Sequence, residues 1–114
     1  MTIEQLKSAY EAAYQKPATD MFFSPGRVNL IGEHTDYNGG FVFPCALSFG
    51  TYLLMAPNNE QKINFRSLNI DAVYSLELTQ LTTPLPNKAW ANYPLGVIAQ
   101  FIKRGVSITQ GYDI

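Results

Sequence analysis

The hydrophobic patterns follow one another as helix, several strands, helix, strand, an order that predicts an α+β domain whose mixed, largely antiparallel sheet carries two helices. Three observations carry that prediction. Helical stripes occur near the N-terminus and again after Lys88. Between them lie short β-type runs, each bounded by Gly, Pro, Asn or Asp. And the chain has 114 residues, 46% apolar and only 15% charged, which excludes disorder and allows one core but not a two-domain enzyme.

The first helix is predicted over Thr2 to Lys16, with apolar residues at Ile3, Leu6, Tyr10, Ala13 and Tyr14. Thr2 and Gln5 have capping-box spacing, and Pro17 is a stop. The predicted strands are 21–24, 28–31, 41–47, 51–56, 62–67 and 72–78. The last two alternate with period two, so each is expected to have one wet face. The earlier runs are expected to lie deeper, or to form surface that more protein covers, because no charge occurs between Asp36 and Glu60. That stretch is no membrane span, since Asn38, Gly39, Gly40, Pro44, Gly50 and Pro57 interrupt it.

A loop follows over 81–88, with Pro84 and Pro86. The second helical stripe runs through Trp90, Tyr93, Val97, Ile98, Phe101 and Ile102. Lys103, Arg104 and Gly105 close it, with positive charge at the negative end of the helix dipole and a C-terminal glycine. Pro94 is compatible with that helix only in its first turn, where a missing N–H leaves no gap. The final Gly111-Tyr-Asp-Ile114 begins another strand. An open sheet edge there, with the apolar face of the 90–102 helix, is expected to make the chain self-associate.

Eight Lys plus Arg against nine Asp plus Glu, without a basic stripe, argue against a nucleic-acid partner. A single cysteine, Cys45, has no internal disulfide partner and is expected to be a small buried hydrophobe. The start of the chain has neither the basic residues nor the apolar block of a signal peptide, so the cytoplasm is the expected compartment and no membrane partner is expected.

Chemistry concentrates in Arg27, Glu33, His34, the one histidine, and Asp36, set among the most apolar runs of the chain. Val28, Leu30 and Ile31 anchor a short strand, with Arg27 expected at one end and the Glu-His-x-Asp group in a loop at the other. Carboxylates and an imidazole on a tight loop can bind several hydroxyls at fixed angles, which suits a sugar, and a guanidinium can stabilise an oxygen becoming negative. The same charges also suit an internal salt-bridge network that pins the loop. A metal site is the third reading, disfavoured by the missing second His or Cys ligand pair and by the charge of Arg27.

The run from Pro25 to Gly40, Pro-Gly-Arg-Val-Asn-Leu-Ile-Gly-Glu-His-Thr-Asp-Tyr-Asn-Gly-Gly, resembles the galactokinase signature. Galactokinases stand among the small-molecule kinases that include the homoserine, mevalonate and phosphomevalonate enzymes. The mevalonate branch shares only the Pro-Gly, Gly-Glu-His skeleton, whereas Thr35-Asp-Tyr-Asn38 is the sugar-kinase form. Trp90-Ala-Asn-Tyr93 with Gly96-Val97 is similar to the start of a helix in that family, although Pro94 departs from the pattern.

The resemblance implies a fold like domain 2 of ribosomal protein S5, here incomplete. Residues 1–114 would be a partial N-terminal sugar-binding domain, without the phosphate loop, the base aspartate and the C-terminal domain. The parent would use magnesium and ATP to phosphorylate the anomeric hydroxyl of galactose. Arg27 would be catalytic by stabilising that oxygen, and Glu33, His34 and Asp36 would bind the other hydroxyls. Trp90 and Tyr93, with Ser67 nearby, would wall the nucleotide, although the spacing of Trp90 and Tyr93 by itself favours an ordinary helix-to-core contact and only the family match points to the nucleotide. No protein metal ligand is implied. The fragment alone would be inactive. The alternatives are a non-catalytic sugar sensor of galactokinase descent and an unrelated α+β interaction domain with a salt-bridged loop.

Overall fold

The computed structural model describes residues 2–114. It divides into two compact units, one made of Met1–Asp20 with Leu54–Ile114 and the other of Met21–Leu53. Among the described residues there are two α-helices, α1 (Ile3–Tyr14) and α2 (Asn92–Lys103), and five strands. The strands are β1 (Asp20–Ile31), β2 (Phe43–Asn58), β3 (Lys62–Phe65), β4 (Tyr74–Glu77) and β5 (Gly111–Asp113), in the order β1-β2-β5-β3-β4. β2 pairs with β5 and β3 with β4 antiparallel, whereas β3 and β5 run parallel. A parallel neighbour needs a long crossover, and here the connection contains β4 and α2. The α+β class with a mixed sheet is therefore observed. No helix among the described residues is long and apolar enough to cross a membrane.

In the larger unit the local sequence signals become geometry. The Thr2 hydroxyl accepts from the Gln5 N–H at 3.2 Å and the Gln5 amide oxygen accepts from the Thr2 N–H at 2.8 Å, closing the expected capping box. α1 ends at Gln15, left-handed at φ 55°, two residues before Pro17. α2 begins at Asn92, two residues later than the stripe suggests, and Pro94 is its third residue. The first N–H after the proline, that of Leu95, bonds Ala91 O at 3.0 Å, so the proline costs the helix no donor. Its far end is a Schellman motif: Gly105 at φ 90° donates to Ile102 O, and Val106 N–H reaches Phe101 O.

Ile63 and Phe65 of β3, Leu76 of β4, Leu95 of α2, and Leu81 and Ala91 before that helix form the main core, with Phe65 only 1% exposed. β3 alternates buried and half-buried residues, as its period-two pattern predicts. A smaller cluster joins Tyr10 of α1 to Leu54 and Ala56 of β2.

β5 corrects one expectation. It lies between β2 and β3 and is paired on both sides, so no open sheet edge occurs at 112–114; β1 and β4 are the outer strands. Long-range bonds hold it further. The Tyr10 hydroxyl donates to Asp113 O at 2.9 Å and the Tyr14 hydroxyl to the Ile114 main-chain oxygen at 2.9 Å. The Asp113 carboxylate accepts from Asn58 at 2.8 Å and Asn64 at 2.7 Å, and pairs with Lys16 at 2.7 Å. Burial works to raise its pKa, but the bonds from Lys16, Asn64 and Asn58 and the charge of Lys16 outweigh it, so the carboxyl titrates below its ordinary range. Burial, with the neighbouring Asp113 charge, pushes the Tyr10 and Tyr14 phenols up to about 12.

The smaller unit reverses a second expectation. The four runs between Met21 and Ala56 merge into two long strands, and no residue of Met21–Leu53 is buried. Phe22, Leu30, Ile31, Phe43 and Phe49 are all exposed, and Phe41 is 99% exposed. A ribbon of two strands cannot bury its own faces. Up to Leu53 these runs are therefore apolar surface rather than core, the second of the two readings their low charge allowed, and only the end of the last run, at Leu54 and Ala56, is buried. Cys45, expected to be buried, is exposed for the same reason.

Candidate functional site

The chemistry-bearing loop leaves β1 at Gly32, whose φ of 99° favours glycine. A Cβ there would lie 2.8 Å from Phe41 O and 2.9 Å from Val42 Cα, so the loop ends can approach only because that atom is missing. Thr35 then ties the loop together. Its hydroxyl lies 2.7 Å from Gly32 O and 2.9 Å from Phe41 O, and its carbonyl accepts from Asn38 N–H at 3.1 Å and Gly40 N–H at 2.8 Å. Asp36–Asn38 form a single 3₁₀ turn closed by left-handed Gly39.

Glu33, His34 and Asp36 all lie on this closed loop and are exposed. Arg27 does not stand at a strand end, as expected; because the two apolar runs fuse, it sits inside β1. Strand alternation puts Arg27, Asn29 and Ile31 on one face. From that face the Asn29 amide donates to Glu33 Oε1 at 3.2 Å. Asn29, Ile31, Glu33, Thr35 and Phe41 line an open depression beside the loop.

The salt-bridge reading of the loop is corrected here. Among the described residues the ion pairs are Lys16–Asp113 and Lys62–Glu77, and neither involves Arg27, Glu33 or Asp36. Exposed charges that do not neutralise one another keep their hydrogen-bonding capacity for a ligand. Among the described residues no group of three or more His, Cys, Asp or Glu is arranged to hold a metal ion.

Sequence reasoning missed Asn29, Thr35, Tyr37 and Asn38. Tyr37 bonds the His34 ring through its hydroxyl, and the Asn38 amide donates to His34 O at 2.8 Å. All four lie inside the Pro25–Gly40 run, so position was the available signal; the pairing was not, because it depends on the left-handed turn at His34, φ 59°.

The other predicted residues belong to the larger unit. Trp90 precedes α2, donates from its indole N–H to Ala72 O at 2.9 Å and meets Phe65 and Tyr74 edge-on. It thus makes a core contact of the kind its spacing favours. Tyr93, in the first turn of α2, is 84% exposed, and its N–H bonds Trp90 O at 3.1 Å. Ser67 follows β3, and its hydroxyl accepts from Asn69 N–H at 3.1 Å.

Residues 8–57, which include the whole loop, match the family model described as the galactokinase galactose-binding signature. Across the chain, 48% of residues are identical to a galactokinase of Clostridium beijerinckii, an alignment covering 98% of this chain and 29% of that protein. The chain belongs to the galactokinase family. A galactokinase of Bacillus subtilis is 44% identical over 97% of the chain and 29% of its own length. The crystal structure of Lactococcus lactis galactokinase complexed with galactose superposes with a TM-score of 0.88 at 32% identity, over 99% of this chain and 30% of that one. The chain therefore spans about three-tenths of the length of the galactokinases it matches. This kinship overturns the reading of an unrelated interaction domain.

Proposed function

We propose that these residues are a partial sugar-binding domain of a galactokinase, whose longer form transfers the γ-phosphoryl group of ATP to the anomeric hydroxyl of galactose. The transfer forms a bond from the sugar oxygen to the γ-phosphorus and breaks that between γ-phosphorus and ADP, giving galactose 1-phosphate. Such reactions depend on positioning and on neutralising charge as it develops. Arg27 stabilises the anomeric oxygen as it becomes negative. The Glu33 and Asp36 carboxylates accept from the other hydroxyls, and the His34 ring completes their fixed directions. Tyr93 and Trp90, with Ser67, face the nucleotide.

Magnesium supplies charge neutralisation at the phosphates in phosphoryl transfer. Among the described residues no group of three or more His, Cys, Asp or Glu is arranged to hold the ion, and neither the phosphate holders nor the acceptor of the hydroxyl proton are assigned to residues of this chain. The 114 residues alone are accordingly expected to show no ATP-dependent phosphorylation. The parent is read as a cytoplasmic enzyme, and no observation favours a non-catalytic sensor.

The observation that carries this reading is the set of exposed Arg27, Glu33, His34 and Asp36 on one closed loop and its strand, with no ion pair among them, inside the matched signature. Replacing Arg27 by Ala in the longer protein is expected to lower kcat for galactose on the order of 10²–10³-fold. The melting temperature should hardly move, because Arg27 is exposed. An unchanged kcat in the folded variant would remove Arg27 from the mechanism.

A further inference from the structure

Tyr37 has no role in the proposed sugar binding, yet its side chain contacts the His34 ring. The Tyr37 hydroxyl meets His34 Nδ1, and the two rings pack edge-on with centroids 5.9 Å apart and planes at 71°. The backbone prepares the meeting. His34 is left-handed at φ 59°, and Asn38, the neighbour of Tyr37, holds the His34 carbonyl at 2.8 Å. The ring is thus fixed from two directions, by its own main chain and by the phenol one 3₁₀ turn away.

The chemistry of the two groups decides the direction of the bond. A phenol is a good donor, and its oxygen a weak acceptor because its lone pairs are delocalised into the ring. The unprotonated nitrogen of a neutral imidazole is a much stronger acceptor. The hydroxyl therefore donates to Nδ1, the ring proton resides on Nε2, and Nε2–H points away from Tyr37 as a free donor. The neighbouring carboxylates of Glu33 and Asp36 are acceptors only. A hexose hydroxyl both donates and accepts, so a loop with acceptors alone would leave hydroxyl lone pairs unmatched.

We propose that Tyr37 is a positioning residue that holds His34 as the Nε2–H tautomer, so that the loop offers a hexose one directed donor beside two acceptors. The proposal rests on the sugar-binding reading of this loop.

The chain has one histidine, so labelling histidine with ¹⁵N gives a single set of imidazole signals. With the solution basic enough for the ring to carry a single proton, that proton is expected on Nε2 with Nδ1 bare; a single proton found on Nδ1 would overturn the proposal without any variant. Tyr37→Phe removes the hydroxyl and keeps the ring packing. It should move the two nitrogen shifts toward each other as the tautomers mix, whereas unchanged shifts in a folded variant would overturn the proposal. Asn38→Ala keeps the phenol and is expected to retain the wild-type tautomer.

In the longer protein, Tyr37→Phe should raise KM for galactose by up to roughly tenfold, the worth of one net hydrogen bond, with kcat within about threefold. A wild-type KM in that variant would sink the positioning role. If the wild-type protein does not act on galactose at all, the sugar-binding reading fails, and the tautomer measurement still decides the pairing.

Discussion

The larger unit, Met1–Asp20 with Leu54–Ile114, and the smaller, Met21–Leu53, use similar residues to opposite ends. In the larger unit the aromatic and aliphatic side chains of β3, β4 and α2 close a core, and its one buried carboxylate, Asp113, has every partner it needs. In the smaller unit comparable side chains stay in the open, and the charges of the loop have no ion partners among the described residues. Satisfied groups contribute stability, whereas unsatisfied ones remain available to a ligand. The difference teaches that the region with the chemistry is not the region that holds itself together.

Phe65→Ala should break the comparison most severely. The side chain is 1% exposed at the centre of the main core, and its loss is expected to cost about 3–5 kcal/mol in denaturant unfolding. A cost under about 1 kcal/mol would mean that the core does not carry the fold.

Asp113→Ala comes next, at about 3 kcal/mol, because it leaves Lys16 without its carboxylate partner and the amides of Asn58 and Asn64 short of an acceptor. The same group sets a pH dependence. Its folded pKa is lowered, so its contribution is fully present above the unfolded value of about 3.9 and is lost as pH falls through the folded pKa. Tyr10 and Tyr14 act at the other extreme. Their folded pKa values are raised to about 12, so they contribute stability below about pH 10 that is lost as pH rises through 12. Denaturant midpoints followed across both ranges should fall at each end in the wild type, and the acid limb should flatten in Asp113→Ala. An unchanged acid limb would remove Asp113 as its cause.

Thr2→Ala is expected to cost about 1 kcal/mol, read by the same unfolding curves, since it deletes one half of the capping box. At the small end stands Phe41→Ser in the smaller unit. With Phe41 99% exposed, unfolding free energy should stay within about 0.5 kcal/mol. Any self-association seen by sedimentation should decrease, because Phe41, with Phe43 and Phe49, is exposed apolar surface whereas 112–114 is not an open sheet edge. A large loss of stability would show that the smaller unit has a core of its own.

Local and contiguous features were legible in the amino-acid order. The capping box at Thr2, the stop at Pro17, the first-turn place of Pro94 and the glycine end of α2 each depend on a few neighbouring residues whose chemistry permits one conformation. The loop residues Glu33, His34 and Asp36 were legible because they fall close together in one run. What the tertiary structure alone decided depends on residues distant in sequence or on which surfaces meet. Tyr10 finds Asp113 O across 103 positions, and no local pattern in Gly111-Tyr-Asp-Ile114 announces a strand paired on both sides rather than an edge. Apolar runs likewise report only that a surface avoids water. Whether β1 and β2 are covered depends on the elements packed against them, which is why Cys45 and Phe43 lie exposed while Ile63 and Phe65, in a more polar stretch, form the core.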